Sequence, residues 1–273
     1  MRFNLTLNTQ ENNSLLPANY QYPLSAAIYR IIQRGDAAYA SFLHDKGYQQ
    51  AGSLKAFKLF TFSSLKIPFK IEGDRFRLLS DRAELVVCFH LPEAAEHFIK
   101  GLFQSQTIEI ADKKSRVCFI VEQVQALPSP CPSLKETDTA HCLLHPLSPV
   151  VCGLKNDRGY YDFLSPEHPD FVQLLLYNWK EKYKTVYGSE SADAVFANAG
   201  MEVVFCKKPP KSRLITIKSG TPEETKIRGF VNFGLRVQGT AEALELLLNG
   251  GAGLYNSLGM GCIGVVKSIH NVQ

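Results

Sequence analysis

The sequence lacks the features that mark several common protein classes. It contains no run of roughly 18 consecutive apolar residues, which a membrane-spanning helix requires. Its seven cysteines are scattered and odd in number, and none forms a CxxC pair, which argues against a zinc ribbon and a disulfide framework. The alternating pattern of a strand begins at Arg2, so we expect neither a signal peptide nor a membrane anchor, and a cytoplasmic location.

The composition is that of a folded protein with more than one domain. The 273 residues include 45% hydrophobic and 21% charged residues, which is enough for a hydrophobic core. This length exceeds that of a usual single domain, about 100–200 residues, so we expect two domains.

The net charge of +4 is unevenly distributed. Residues 46–82 contain eight Lys or Arg against three Asp or Glu, and residues 201–240 contain the same numbers. The remainder of the chain is acidic. If these two basic zones face one cleft, they would bind a nucleic acid with a steep dependence on salt.

The first half of the chain has the order strand, helix, strands, helix, strand. Hydrophobic periodicity, the proline at position 23 and the possible cap at Asp36 carry this prediction. We expect strands at Arg2–Thr9, Phe57–Ser63, Leu85–Phe89, Gln106–Ile110 and Arg116–Val124, a hairpin at Phe69–Leu79, and helices at Pro23–Gly35, Ala37–His44 and Pro92–Lys100.

The order recurs after a proline-rich stretch, which we assign to a linker at residues 127–148. We expect strands at Pro149–Leu154, Met201–Cys206, Leu214–Lys218, Lys226–Gln238 and Cys262–Ile269, and helices at Pro169–Tyr187 and Ala241–Asn249, the latter capped by Thr240. The predicted fold class is α+β, with two tandem ferredoxin-like (βαββαβ) domains at residues 1–126 and 149–273.

A glycine pattern precedes the last strand. Two Gly-hydrophobic-Gly triplets, Gly251 to Gly253 and Gly259 to Gly261, are separated by five residues. Glycine permits positive φ and close approach of the backbone, and such a loop could offer N–H groups to phosphates. No Gly-Lys-Ser/Thr follows, and the GxGxxG context of a dinucleotide site is absent. The structural alternative is a flexible connection.

A C-terminal loop of this form in a tandem ferredoxin-like chain resembles the CRISPR-associated endoribonuclease family of the RAMP superfamily, which cuts precursor CRISPR RNA within its repeats. Short segments elsewhere share the resemblance: Arg2-Phe3, the helix at Tyr22–Ile32, Leu43-His44, Lys58–Ser63, Leu147–Val150 and Asn256–Gly259.

The resemblance implies catalytic roles for Tyr29, His44 and Lys58. Family members place a histidine after the first helices and a tyrosine on the first helix, and some add a lysine before the next strand. Histidine suits proton transfer near neutral pH, tyrosine can donate a hydrogen bond, and lysine can stabilise negative charge. Structural alternatives are a solvated helix end for His44, helix packing for Tyr29 and a strand-edge charge for Lys58.

The implied reaction is attack of the ribose 2′-OH on the adjacent phosphate. It leaves a 2′,3′-cyclic phosphate and a 5′-OH, and it requires no metal or other cofactor. We therefore expect a metal-independent endoribonuclease.

Residues of two kinds are candidates for binding the RNA repeat. The glycine-rich loop offers its backbone and the aromatic ring of Tyr255, and basic residues before it can contact phosphates, with Lys226, Arg228 and Arg236 expected along one strand. The assigned residues are Gly251, Gly253, Tyr255, Asn256, Ser257, Gly259, Gly261, Lys207, Lys208, Lys211, Arg213, Lys226, Arg228 and Arg236.

Alternatives stay open at this point. His141 and His145 have a metal-ligand spacing only on a helix, and their segment reads as loop or strand, so we predict no metal site. The chain could instead be a non-catalytic RNA-binding subunit of a CRISPR effector complex, or an enzyme that binds a nucleotide phosphate in its glycine loop. The sequence leaves open both homodimerisation and contacts with effector-complex subunits.

Overall fold

The computed structural model describes residues 1–11, 13–50, 52–53, 55–129, 138–157 and 159–269. The middle of the expected linker, residues 130–137, and the last four residues lie outside the described residues. No helix in the described ranges is long and apolar enough to span a bilayer.

The first half begins with a strand and two consecutive helices. Leu24, Ile28 and Ile31 bury one face of the first helix, and the Asp36 carboxylate accepts a hydrogen bond of 2.7 Å from the Tyr39 N–H, capping the second helix as predicted. The elements are β1 (Arg2–Thr9), β2 (Leu15–Pro17), α1 (Gln21–Gly35), α2 (Ala37–Asp45), β3 (Tyr48–Gln49), β4 (Ala56–Phe57), β5 (Phe60–Phe62), β6 (Phe69–Glu72), β7 (Arg75–Leu78), β8 (Arg82–Phe89), α3 (Pro92–Gln104), β9 (Thr107–Ala111) and β10 (Arg116–Leu127).

The second half repeats this plan with a smaller sheet. The Thr240 hydroxyl accepts a hydrogen bond from the Ala243 N–H and so caps the last α-helix. The elements are β11 (Thr139–Pro146), β12 (Gly153–Lys155), β13 (Tyr161–Phe163), α4 (Phe171–Tyr187), α5 (Ser189–Phe196), β14 (Gly200–Phe205), β15 (Lys211–Ile217), β16 (Thr225–Val231), β17 (Phe233–Thr240), α6 (Ala241–Gly250), a 3₁₀ turn (Asn256–Leu258) and β18 (Ile263–Ile269).

Both main sheets have the strand order of a ferredoxin-like fold. The first is antiparallel in the order β5-β8-β1-β10-β9, and the second is antiparallel in the order β14-β17-β11-β18. In the first sheet β1 lies between β8 and β10, and in the second sheet β11 lies between β17 and β18. The first strand of each βαββαβ unit thus lies between the third and the fourth, as this fold requires. The prediction of two tandem ferredoxin-like folds is confirmed.

One strand lies where we expected linker. β11 pairs with β17 and β18 at the centre of the second sheet, whereas the expected first strand at Pro149–Leu154 contributes only isolated bridges and the short β12. Ala140, Cys142 and Leu144 are buried on one face of β11. This period-two alternation was obscured by the neighbouring prolines, and it places the start of the second half before Thr139.

The expected strand at Lys226–Gln238 is two strands in different sheets. β16 pairs with β15 in a separate hairpin, and β17 joins the main sheet. Asn232, between them, has a φ of 65°, and this left-handed residue ends the first strand and redirects the chain.

The two halves meet through backbone acceptors that lie beside the last strand. The Arg2 guanidinium donates to the Ile263 carbonyl at 3.0 Å, and the Thr61 hydroxyl donates to the Met260 carbonyl at 2.9 Å. Leu59, from the first half, is buried in the hydrophobic core of the second. The glycine-rich segment thus lies against the first half.

Candidate active site and RNA interface

Tyr29 lies on α1 with its ring between those of two other residues. The ring is edge-on to Phe60, with centroids 5.4 Å apart, and edge-on to His44, with centroids 5.2 Å apart. Burial raises the pKa of Tyr29 to about 12, against the opposing effect of a side-chain hydrogen bond with Ser257. The phenol therefore keeps its proton at neutral pH.

His44 lies in the last turn of α2 and its side chain is 69% exposed. Its Nδ1 lies 2.8 Å from the Asp45 carboxylate. When Nδ1 carries the proton and donates it to Asp45, Nε2 presents its lone pair to solvent. The ring is accessible to a large substrate and is oriented by its neighbour.

Lys58 follows β4 and reaches back to the end of α2. Its Nζ donates a hydrogen bond of 2.7 Å to the His44 carbonyl, and partial burial lowers the pKa of Lys58 despite the nearby charge of Asp45. The bond places a cation beside the His44 main chain. Since the last carbonyls of a helix have no partner within it, the bond also satisfies one of them.

Two backbone conformations position Lys58. Gly47, with a φ of 68°, ends α2, and a Cβ at this position would lie 2.9 Å from Lys58 Cδ and 2.8 Å from the Phe57 carbonyl oxygen. Leu59, with a φ of 52°, is a left-handed residue with a buried side chain. Burial in the second core holds Leu59 in this unfavourable conformation, directly after Lys58.

The three predicted catalytic residues thus come together from separate elements. Tyr29 and His44 line a hollow of about 220 Å³, and Arg30, Gln33, Ala40, Ser41 and Asp45 complete its lining. Lys58 lines a second hollow of about 240 Å³ together with Tyr255, Asn256 and Ser257 of the glycine-rich loop. The Lys58–His44 hydrogen bond connects the two hollows.

The four predicted loop glycines are buried and serve packing within the protein. A Cβ at Gly253 would lie 2.1 Å from the Val151 carbonyl oxygen, one at Gly261 would lie 1.9 Å from the Ala252 carbonyl oxygen, and one at Gly259 would lie 2.4 Å from the Phe62 ring. Gly251 is similarly close to Asn256. The glycine pattern is therefore explained by close packing, within the second half at Gly251, Gly253 and Gly261 and against Phe62 of the first half at Gly259.

Most loop N–H groups are also engaged inside the protein, which differs from the expectation that they face phosphates. Those of Gly251, Ala252, Leu254 and Gly261 donate to the carbonyls of Leu247, Gly261, Val151 and Pro149. Tyr255, Asn256 and Ser257 are half-buried and line the second hollow. Contact with a substrate from this loop can therefore come from these three residues, whereas the glycines shape the loop.

The predicted basic residues occupy three places. Lys207 and Lys208 are exposed in the turn before β15, and Lys226 and Arg228 are exposed on β16, the hairpin partner of β15. Arg236 lies in the other sheet, on β17, where it forms an ion pair with Glu202. The expectation that Lys226, Arg228 and Arg236 follow one strand is therefore wrong, because the chain turns at Asn232.

The hairpin of β15 and β16 contacts the first half through Arg213. Its guanidinium lies over the Tyr20 ring, 5.6 Å from the centroid, and donates to the Ala18 carbonyl at 3.2 Å. Lys211, two residues earlier, is exposed. Arg213 is thus engaged in joining the two halves.

A cavity of about 690 Å³ lies beside this contact. Cations and carboxylates both line it: Arg30, Arg75, Lys113 and Lys218, with Asp74, Glu109, Asp112 and Glu223. The charge facing this cavity is therefore mixed.

Several cations of the first basic zone, elsewhere on the surface, are already paired with carboxylates, as Arg77 is with Glu72 and Lys66 is with Glu84.

Within the described ranges, no group of three or more His, Cys, Asp or Glu side chains converges in an arrangement that could hold a metal ion. His141 and His145 lie on β11, where the spacing of four residues separates them along the strand.

Sequence reasoning missed three residues of this region. Gly47 could have been found, since glycine after a helix is a common C-terminal signal. Arg30, beside Tyr29, is exposed and lines the first hollow. Lys182 on α4 lies under the second hollow and is 2% exposed, and nothing in the local sequence distinguishes it from a surface lysine.

Comparisons with known proteins cover most of the chain. The family model described as CRISPR-associated protein Cas6, N-terminal, matches residues 15–125, and the model described as CRISPR associated protein Cas6, C-terminal, matches residues 132–265. The chain is 32% identical over 201 residues to CRISPR-associated endoribonuclease Cas6 1 of Methanocaldococcus jannaschii, covering 72% of this chain and 70% of that protein.

A second curated relative matches nearly the full length. CRISPR-associated endoribonuclease Cas6 of Pyrococcus furiosus is 26% identical over 270 residues, covering 97% of this chain and 90% of that protein. A solved structure of a Cas6-related protein from Pyrococcus furiosus superposes with a TM-score of 0.75 at 21% identity and covers 98% of each chain. At 21% identity this similarity supports the fold alone.

Proposed function

Because the chain belongs to the Cas6 family of CRISPR-associated proteins, we propose that it is an endoribonuclease that cleaves precursor CRISPR RNA within its repeats. The convergence of Tyr29, His44 and Lys58 carries this proposal. These residues come from α1, α2 and the segment after β4. The ring centroids of Tyr29 and His44 are 5.2 Å apart, and the Lys58 Nζ lies 2.7 Å from the His44 carbonyl oxygen. The relatives from M. jannaschii and P. furiosus are both named CRISPR-associated endoribonucleases.

The proposed reaction is an internal transesterification. The ribose 2′-oxygen bonds to the adjacent phosphorus, and the bond from phosphorus to the 5′-oxygen breaks. The 2′-OH loses one proton and the leaving oxygen gains one; His44 exchanges one of these protons and solvent exchanges the other. Neither water nor a metal ion is consumed, and we propose that side chains of the protein supply the proton transfer and the charge stabilisation without a metal ion. The products carry a 2′,3′-cyclic phosphate and a 5′-OH.

His44 supplies the proton transfer as general base or general acid. Its exposed ring can reach a bound RNA strand, and the contact of Nδ1 with Asp45 orients Nε2 for the exchange. Of the three predicted catalytic residues, His44 is the exposed one and carries an imidazole, the side-chain type suited to proton transfer near neutral pH.

Tyr29 and Lys58 assist without exchanging protons. Tyr29, with its pKa raised to about 12, remains a hydrogen-bond donor that can position the 2′-OH or a phosphate oxygen. Lys58 brings a positive charge close to the His44 main chain, where it can stabilise the negative charge that develops on the phosphorus oxygens.

The RNA contacts are proposed for half-buried loop residues beside Lys58 and for exposed cations on and before the β15–β16 hairpin. Tyr255 and Ser257 border the hollow at Lys58, and Lys207, Lys208, Lys226 and Arg228 provide exposed cations for phosphates. Such a surface reads RNA through backbone contacts and single-strand base contacts. We infer that the protein acts in the cytoplasm on repeat RNA.

The deciding experiment incubates the protein with RNA from a CRISPR repeat in the presence of EDTA. We expect one cut per repeat with a cyclic phosphate on the 5′ fragment, and no cut when the nucleotide at the scissile bond is 2′-deoxy. The His44→Ala variant should bind the RNA and cleave it at least about 10²-fold more slowly, the range usual for general acid-base catalysis. Wild-type cleavage by His44→Ala would remove His44 from the mechanism.

The same experiment tests the alternative role. Tight binding of repeat RNA by the wild type without any cleavage would instead indicate a non-catalytic RNA-binding subunit of a CRISPR effector complex.

A further inference from the structure

A buried lysine lies under the glycine-rich loop. Lys182 is on α4, and its side chain is enclosed by the protein. Its Nζ donates hydrogen bonds to the Gly251 carbonyl at 2.6 Å, to the Gly253 carbonyl at 3.1 Å and to the Asn256 Oδ1 at 2.6 Å. An ammonium group has three N–H donors, so its three partners match its full capacity.

The backbone of the loop creates the need for these donors. Gly251 and Gly253 have φ values of 84° and 68°, and their carbonyls lie in the protein interior. A buried carbonyl without a donor destabilises a fold, and neither of these lies in a regular helix or strand. A lysine from a neighbouring helix meets this requirement at both positions.

Asn256 extends the contact through the rest of the loop. While its Oδ1 accepts from Lys182, its Nδ2 donates to the carbonyls of Ala252 and Met260 at 3.0 Å and 3.1 Å. The two ends of the loop are thereby tied to one side chain. Lys182 and Asn256 together determine the path of the chain between the two glycine triplets.

The next residue contacts the helix that carries Tyr29. The Ser257 carbonyl accepts a hydrogen bond of 2.6 Å from the Ser25 hydroxyl on α1, about one helical turn before Tyr29. The hydrogen bonds from Lys182 to Asn256 and from Ser25 to Ser257 thus attach the loop to α1, where the Tyr29 ring contacts His44.

We propose that Lys182 is a positioning residue for RNA cleavage, which holds the glycine-rich loop so that Ser257, bonded to Ser25, keeps α1 and its Tyr29 in place beside His44. The proposal rests on the proposed endoribonuclease function. It assigns to the loop a supporting role in the arrangement of catalytic groups, carried across the boundary between the two halves.

Packing alone does not call for a lysine at this position. Leu175 and Trp179, on the same helix, already fill the core of the second half. Burial lowers the pKa of Lys182 to about 7, an electrostatic cost that an apolar side chain would avoid. The three oxygen acceptors favour the ammonium form, and together they explain why a cation is kept in this place.

The test compares Lys182→Met with Lys180→Met. Methionine keeps much of the length and volume of lysine without donors, and Lys180 is two residues away on the same helix, paired with Asp193. Three quantities are measured for the whole protein: hydrogen exchange of the amides at 251–261, single-turnover cleavage of repeat RNA, and affinity for the same RNA with a 2′-deoxy nucleotide at the scissile bond.

We expect Lys182→Met to exchange the loop amides faster and to cleave about 10²-fold more slowly, because small displacements of catalytic groups cost that much. Its affinity for the uncleavable RNA should stay within about twofold, since Lys182 is buried. Lys180→Met should resemble the wild type in all three measurements. A merely structural role would lower cleavage and affinity together, in proportion to the unfolded fraction.

Several results would overturn the proposal. Wild-type cleavage or wild-type loop exchange in Lys182→Met would do so and would leave the endoribonuclease function intact. Should Lys182→Met not fold, Asn256→Ala is used, which removes one acceptor of Lys182 and both donors to the loop carbonyls. Wild-type cleavage and exchange in that variant would also overturn it. Absence of cleavage by the wild type would refute the proposed function, while loop exchange would still test the holding role of Lys182.

Discussion

The Nζ of Lys58 and the carbonyl of His44 are joined by a hydrogen bond of 2.7 Å. This bond ties the segment after β4 to the end of α2 and places the Lys58 cation beside the His44 main chain. Because the lysine bonds to the main chain, the His44 ring keeps its own rotational freedom and its contact with Asp45. The spacing between the two groups is therefore set by backbone geometry.

Gly47→Ala should disturb this spacing and slow cleavage. Residue 47 has a φ of 68°, and the added Cβ would lie 2.9 Å from Lys58 Cδ. The left-handed conformation costs a non-glycine residue about 1–2 kcal/mol, and the displacement of Lys58 should lower the cleavage rate about tenfold or more. Urea unfolding and single-turnover cleavage measure the two effects.

Gly73→Ala is the matched control for that substitution. Gly73 has a φ of 59° in the turn between β6 and β7, and no atom lies within 4 Å of the position its Cβ would take. It should lose similar stability and keep wild-type cleavage. Equal loss of cleavage in both variants would show that the conformational cost, and not Lys58, is responsible.

Tyr29→Phe should reduce cleavage without altering the pH at which the rate changes. The substitution removes the phenol hydroxyl but keeps the ring packed against Phe60 and His44. Since the pKa of Tyr29 is raised to about 12, the phenol is protonated throughout the pH range 6–10 and contributes no titration there. A pH–rate profile that differs between wild type and variant only in height is expected; a lost alkaline limb would assign Tyr29 a proton-transfer role.

His90 should make the protein sensitive to acid. Its Nε2 lies 3.1 Å from the Tyr187 hydroxyl, and burial, assisted by the N-terminal ammonium, lowers the pKa of His90 to about 4. Between pH 6.5 and 4 the unfolded chain binds a proton at this residue that the folded chain excludes, so stability decreases as pH falls through this window. Urea midpoints at pH 7, 5.5 and 4.5 measure the effect.

His90→Gln should flatten that pH dependence, because glutamine does not titrate. His44→Ala provides the comparison, since it removes an exposed histidine and leaves His90 in place. It should retain the wild-type slope. A slope that persists in His90→Gln would assign the acid sensitivity to another group.

Lys207→Ala combined with Lys208→Ala should weaken RNA binding and reduce its dependence on salt. Both lysines are exposed before β15, and loss of two phosphate contacts should lower the slope of log affinity against log salt by about two. Fluorescence anisotropy with 2′-deoxy-blocked repeat RNA measures the slope. The control combines Lys100→Ala with Lys180→Ala, which changes the net charge by the same amount. These two lysines lie on helices and form ion pairs with carboxylates, so their loss should leave the salt slope unchanged.

The predictions from periodicity succeeded where one face of an element is buried. The helix expected at Pro23–Gly35 is α1, and the long helix expected to end at Tyr187 is α4. The hairpin at Phe69–Leu79 also forms, with Gly73 in its turn. The first strand of the second half was missed, because prolines on either side of Thr139–Pro146 conceal its alternation.

The candidate site was reached only partly from the sequence. Tyr29, His44 and Lys58 were named through a family resemblance, which the family models and relatives confirm at the level of the family. Their proximity depends on contacts between residues that are distant in sequence, such as Ser25 with Ser257, and local patterns do not encode such contacts. Gly47 and Lys182 became visible only with their three-dimensional neighbours.

By itself the sequence determined most of the main helices and strands, the tandem ferredoxin-like fold and the family, since hydrophobic period, capping residues and glycine spacing are local properties. Only the tertiary structure showed that the glycine triplets allow close packing inside the protein. Their small size is needed where the Val151 carbonyl and the Phe62 ring come close. The buried carbonyls of Gly251 and Gly253 accept hydrogen bonds from Lys182. Close packing and the satisfaction of buried polar groups depend on neighbours from across the fold, and the linear pattern does not contain them.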